Sequence, residues 1–171
     1  MITKVWNFLW NGESLASYVS FVIVSFVLLK FLFYPLFLYV FGLEDIVSVL
    51  SGSMLHDGYY PQWYIENGFS QERVESWPFQ NGLYVGDAVV IVPAEDVEVG
   101  DVIVFLAPDG RQIIHRVTNI TESGITTHGD ANPGTLDFEK NISPSRIIGE
   151  AKFRIPFIGI PRMIMNRLTG L

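Results

Sequence analysis

Cysteine is absent from the 171 residues, which excludes a disulfide framework, a cysteine-ligated zinc site and a thiol nucleophile. Positive charge is scarce: 11 Lys and Arg stand against 18 Asp and Glu, for a formal net charge of −7. No nucleic acid partner is expected, because phosphate binding needs a basic face that this composition does not supply. Only three histidines occur, His56, His115 and His128. Their spacing matches no zinc pattern, so no metal and no cofactor is implied. Also missing are repeats with a period of about 20 to 50 residues, low-complexity tracts and flexible linkers.

Apolar residues are plentiful, at 49% of the chain. This length accommodates one compact domain of about 100 to 130 residues plus something more apolar than a soluble core. The surplus lies at residues 15–41, LASYVSFVIVSFVLLKFLFYPLFLYVF. At about 1.5 Å per residue, a helix of this length crosses a hydrocarbon core of about 30 Å with tilt. Lys30 sits inside the run, where its charge must snorkel or find a polar partner, and Pro35 is expected to kink the helix or place its last turns at the interface. A cleavable signal peptide would carry a shorter apolar stretch and a small-residue cleavage site, whereas FGLED follows here. The reading is a membrane anchor. Lys4 is the sole basic residue before it, so residues 1–14 are expected to be cytosolic and the rest of the chain extracytosolic.

Beyond the anchor the pattern changes. Ile46–Leu50, Leu83–Val92, Val102–Leu106, Gln112–Ile120, Ile125–His128 and Ile147–Arg154 are short, rich in Val and Ile, and separated by Gly-Asp or Pro-Asp-Gly punctuation. These are strand signals, and Asp109-Gly110 predicts a hairpin turn. The fold class is therefore mainly β with one N-terminal transmembrane helix, the β domain covering residues 42–157. Residues 55–81 form an excursion rich in Tyr, Trp and Phe. It reads equally as an interfacial loop, a packed hairpin beside a groove, or a segment with its own mini-core. Residues 158–171 form an apolar tail; Lys152, Arg154, Arg162 and Arg167 make the end of the chain basic, as expected of a segment lying on the membrane surface.

Three polar stretches stand out. Ser51-Gly52-Ser53-Met54 directly follows a predicted strand; Ile113-Ile114-His115-Arg116-Val117 places a histidine within one; and THGDANPGTLD is a loop carrying Asp130 and Asp137. Serine and glycine are also ordinary turn residues. A hydroxyl, an imidazole and a carboxylate are nevertheless the parts of a serine peptidase: the imidazole takes the serine proton, and the carboxylate orients the ring and stabilises its cation. His56, three residues beyond Ser53, is an alternative base, though closeness in sequence rarely supplies the required geometry. His128 reads as a strand-end residue.

The ordered set SGSM, Gly86-Asp87, GDVIVF with IIHRV close behind, GDAN followed by an aspartate, and GEAKFRIPFIGI resembles the archaeal and endoplasmic-reticulum branch of the type I signal peptidases. The resemblance implies a signal-peptidase-like β-barrel or sandwich catalytic domain that removes signal peptides from exported pre-proteins. Ser53 would be the nucleophile and His115 the base, at a position where bacterial-type members carry lysine. Asp137 would be the acidic partner, with Asp130 as a second acid, and Ser51 would assist the Ser53 N–H in an oxyanion hole. The partners implied are signal-peptide-bearing pre-proteins, membrane lipid and accessory subunits; an archaeal cell membrane is favoured over the endoplasmic reticulum. Two departures are visible: the proline that usually follows SGSM is replaced by Leu55-His56, and the 55–81 insertion stands where relatives have a short loop. The alternatives are a membrane-tethered, non-catalytic β module that binds or assembles with other proteins, and a self-cleaving regulatory peptidase, whose base is typically lysine.

Overall fold

The computed structural model describes residues 2–169, and the side chains of Arg162, Asn166, Arg167 and Thr169 lie outside the described set. The chain falls into two compact units divided after Gly42. The first opens with a helix that the sequence reading did not anticipate, α1 (Ile2–Asn11). Its Trp6 and Trp10 stack at 4.7 Å, and Trp10 meets the edge of Phe21 at 5.1 Å. The following helix α2 (Leu15–Leu28) is capped by Ser14, whose hydroxyl accepts from the Ser17 N–H.

The helical run continues from α2 through a π turn (Leu29–Phe33) into α3 (Tyr34–Phe41). Proline at position 35 offers no N–H to the carbonyl four residues earlier and crowds it. The wider π turn absorbs that mismatch, so the helix is continuous instead of broken. Residues Leu15–Phe41 thus form one helix of 27 residues, long and apolar enough to cross a membrane. Lys30 Nζ lies 5.9 and 5.5 Å from the Phe26 and Phe31 ring centroids, within cation–π range. Gly42 ends the helix in the left-handed conformation at φ 64°, a conformation glycine adopts without a Cβ penalty.

The second unit is built on six antiparallel strands: β1 (Asp45–Ser48), β2 (Ala88–Val92), β3 (Val102–Leu106), β4 (Gln112–Thr121), β5 (Gly124–His128) and β6 (Ile147–Ile155). They form one sheet in the order β1-β2-β6-β3-β4-β5. The expected barrel or sandwich takes the form, among the described residues, of this single sheet. Alternation along the strands sorts the core into two faces. Val102 and Val104 of β3 join Met54, Leu83, Val89 and Ile91 in one cluster, whereas Ile103 and Phe105 join Val117, Ile125 and Ile142 in the other. The β3–β4 register sets Ile103 opposite His115 and Val102 opposite Arg116. His115 and Arg116 therefore point to opposite faces. The predicted hairpin turn is present: Gly110, at φ 82°, donates to Ala107 O at 2.9 Å.

The 55–81 insertion has its own small core. Helices α4 (Gln62–Glu66) and α5 (Gln71–Glu75) bring Tyr64, Val74 and Trp77 together, with Tyr60, Trp63 and Phe69 packed around them. Trp77 lies against Gly100, where a Cβ would come within 2.2 Å of the indole. At the C-terminal end, α6 (Ile160–Thr169) follows β6. Two of the basic residues assigned to the tail are engaged locally: Lys152 pairs with Glu150, and Arg154 donates to Gly82 O at 3.0 Å and lies 3.6 Å from Asp87.

Candidate functional site

Beyond β1 the chain passes Asp87, whose carbonyl accepts from the Val49 N–H at 2.9 Å, and then turns, with Leu55 N–H donating to Gly52 O at 3.1 Å. Met54 anchors this turn by burying its side chain completely beside Val47, Val49 and Leu83. Two backbone bonds brace it from either side. Ala131 N–H donates to Ser53 O, and Leu83 N–H donates to Met54 O, both at 2.9 Å. The hydroxyls of Ser51 and Ser53 lie 3.3 Å apart.

His115 is nearly buried on β4. Its Nδ1 is hydrogen-bonded to Oε1 of Glu139, while Glu139 Oε2 accepts from the Leu136 N–H at 2.6 Å. A fully buried carboxylate thus fixes the ring. Neither Asp137 nor Asp130, the acids expected from the sequence, is the partner of His115; Glu139 is. Residues Asp137–Glu139 form a 3-10 turn, in which residues two apart project about 240° from one another. Asp137 consequently faces outward, its side chain 100% exposed and 2.8 Å from Lys140 Nζ, while Glu139 faces His115. Phe138, between them, packs against the second core cluster.

Gly129 explains how the loop after β5 approaches both residues. A Cβ at this position would lie 2.7 Å from His115 Nε2, 3.0 Å from Ser53 O and 2.6 Å from Asn132 Nδ2. The absence of a side chain leaves the space between the histidine and the serine turn open.

Asp130 occupies the other side of that loop and is wholly buried. Its Oδ1 accepts from Tyr64 Oη at 2.6 Å and Arg116 Nε at 3.0 Å, and its Oδ2 from Arg116 Nη2 at 2.7 Å, with His56 Nε2 at 2.9 Å. Burial alone would raise this carboxyl. The Arg116 guanidinium and the hydrogen bonds from His56, Arg116 and Tyr64 outweigh it and hold the group down at about 2. Arg116 also donates through Nη1 to the Pro78 and Gly100 carbonyls, both at 2.9 Å. Asp130 is therefore a hub joining β4, the insertion and the Gly129–Asn132 loop. His56, weighed above as a base, belongs to this hub. His128 stacks on Trp63 at 3.5 Å. Burial pulls its imidazole down to about 4, against the opposing Glu139 and Asp130 carboxylates and with the aid of His115.

A groove of about 310 Å³ runs over the site, lined by Val47, Ser48, Leu50, Ser51 and Ser53 together with Val104, residues 111–115, Asn132, Leu136 and Phe138. Its walls mix apolar side chains with Ser48, Ser51, Ser53, Arg111, Gln112, His115 and Asn132. Ser53 and His115 both border it, so a hydroxyl, an imidazole and a concave groove converge. Among the described residues no His, Asp and Glu group is arranged to hold a metal ion. Neither a protein-family model nor a curated protein matches the chain.

Proposed function

We propose that the chain is a membrane-anchored serine endopeptidase of the signal peptidase I type, acting at the extracytosolic face on exported pre-proteins, with Ser53 as nucleophile, His115 as general base and Glu139 as the residue that orients the base. The observation carrying this reading is the shared groove: Ser53 and His115 border it, and the histidine's far nitrogen is held by a buried carboxylate. Such a carboxylate fixes the ring tautomer and stabilises the imidazolium that forms during proton transfer.

His115 removes the Ser53 proton as Oγ attacks the scissile carbonyl, and the same proton passes to the leaving amine. Water, activated by His115, then hydrolyses the acyl-enzyme. The Ser53 N–H and the Ser51 hydroxyl stabilise the oxyanion. Edge strand β1 contributes Val47 and Ser48 to the groove, which suits an extended peptide adding as a strand. The Leu15–Phe41 helix confines enzyme and substrate to one layer and so raises their effective concentration. The N-terminus is cytosolic and the domain after Asp45 extracytosolic in this reading.

The test is cleavage of a pre-protein whose signal ends in small residues, by the detergent-purified full chain. Ser53→Ala and His115→Ala are expected to abolish turnover. Equal cleavage by all three proteins, or none by the wild type, rejects the peptidase and favours a non-catalytic β module.

A further inference from the structure

His56 has a donor and acceptor count that constrains its charge. Nδ1 lies 2.8 Å from the Gln80 carbonyl oxygen, and Nε2 lies 2.9 Å from Asp130 Oδ2. Both partners are acceptors. A carbonyl has no proton to give, and the Asp130 carboxylate already faces three other donors, two from Arg116 and one from Tyr64. A neutral imidazole carries one N–H and one bare lone pair, so it makes only one of these bonds and sets a lone pair against an oxygen at the other. The imidazolium makes both.

The charged and titratable groups around the ring come from three elements. Asp130, from the loop after β5, favours the cation, and Arg116, from β4, opposes it. From the insertion, the Tyr60 ring stacks on His56 at 3.5 Å, an arrangement that favours a cation, and the Tyr64 hydroxyl is spent on Asp130.

The consequence reaches the nucleophile. His56 is two residues beyond Met54, and its two bonds tie the serine turn to the end of the insertion at Gln80 and to Asp130. The residue after Asp130, Ala131, donates its N–H to Ser53 O. We infer that His56 is a positioning residue that works as an imidazolium, latching the Ser53 turn both to the 129–131 loop and to the end of the insertion at Gln80, so that its deprotonation releases one of these two ties and slows cleavage. This rests on the peptidase reading above. His115 must be neutral to act as base, whereas His56 must be charged to hold the turn.

Two measurements on the full chain in detergent micelles test this. The first is the pH profile of kcat/KM for pre-protein cleavage by the wild type and by His56→Gln, whose amide donates to Asp130 without titrating. The wild type is expected to lose about tenfold or more on an alkaline limb, a size typical of small misplacement of a reacting group, and the variant to lack that limb. An unchanged limb in the variant overturns the inference while leaving the peptidase standing. The second is the ring nitrogen shifts of His56 in the wild type at the pH of maximal stability, which need no catalysis and no variant. Two protonated nitrogens support the latch; one bare nitrogen overturns it even if cleavage is never observed.

Discussion

Glu139 holds His115 through one carboxylate oxygen and the Leu136 N–H through the other. An amide at this position would keep the shape but present its NH₂ either to the ring, which forces the other tautomer, or to the Leu136 N–H, which sets donor against donor. In serine triads the exchange of the orienting carboxylate for its amide costs on the order of 10⁴ in kcat. Glu139→Gln is therefore expected to lower the cleavage rate by roughly a thousandfold or more. Asp137→Asn, which loses only an exposed pair with Lys140, should remain near wild type. Initial rates with the same pre-protein decide between them, and the reverse order would return the acid role to Asp137.

Gly129→Ala places a methyl 2.7 Å from His115 Nε2 and 3.0 Å from Ser53 O. Displacing reacting groups by about 1 Å can cost about a hundredfold. The variant is expected to lose turnover by about that factor while keeping a cooperative thermal transition, as followed by circular dichroism. Full activity in this variant would show that the space beside His115 is not needed.

Asp130→Asn leaves Arg116 buried without its counter-charge. Breaking one side of a buried ion pair costs about 3–5 kcal/mol, which urea denaturation of the second unit should resolve. The wild-type carboxyl is held at about 2 against an ordinary 3.8. Its folded value lies below its unfolded one, so its contribution is complete above about pH 4 and is lost as the pH falls toward 2. The variant should lack that part of the acid slope.

His128 behaves as a base whose folded value, about 4, lies below the ordinary 6.5. The neutral ring is the form that the fold accepts beneath Trp63, so its contribution is complete above pH 6.5 and declines as the pH falls toward 4. A His128→Gln variant is expected to show a flatter stability profile across this window. A ring resonance titrating near 6.5 in the folded wild type would contradict the burial argument.

The six strands were legible because Val and Ile alternation between Gly-Asp turns reports a half-buried pleat, and each predicted segment contains or closely overlaps an observed strand. The long segment Leu83–Val92 shortened to Ala88–Val92 since Gly86, at φ 94°, and the Asp87 side chain, accepting from Tyr84 N–H at 2.9 Å, form a turn before the ladder begins. Ser53 and His115 were legible as a pair, and the structure sets them on one groove. Glu139 was not, because choosing between acids two residues apart depends on the sense of a 3-10 turn, which leaves no periodic trace in three residues. The bonds of His56 were equally hidden: its partners, Gln80 and Asp130, lie 24 and 74 positions away. Helices α4 and α5, at five residues each, are too short to show a helical repeat against a background of aromatics.

The turn 137–139 sends one residue to solvent, one to the core and one to the histidine. The stretch from Asn132 to Leu136 that leads into it therefore acts as a gauge whose length, more than its composition, selects which side chain His115 meets. Point changes along it are expected to be absorbed, whereas removing a single residue would bring Lys140 to the place of Glu139 and adding one would offer the imidazole the Phe138 ring. In a lineage of such chains, tolerance to substitution and intolerance to insertion or deletion would coexist within the same few positions.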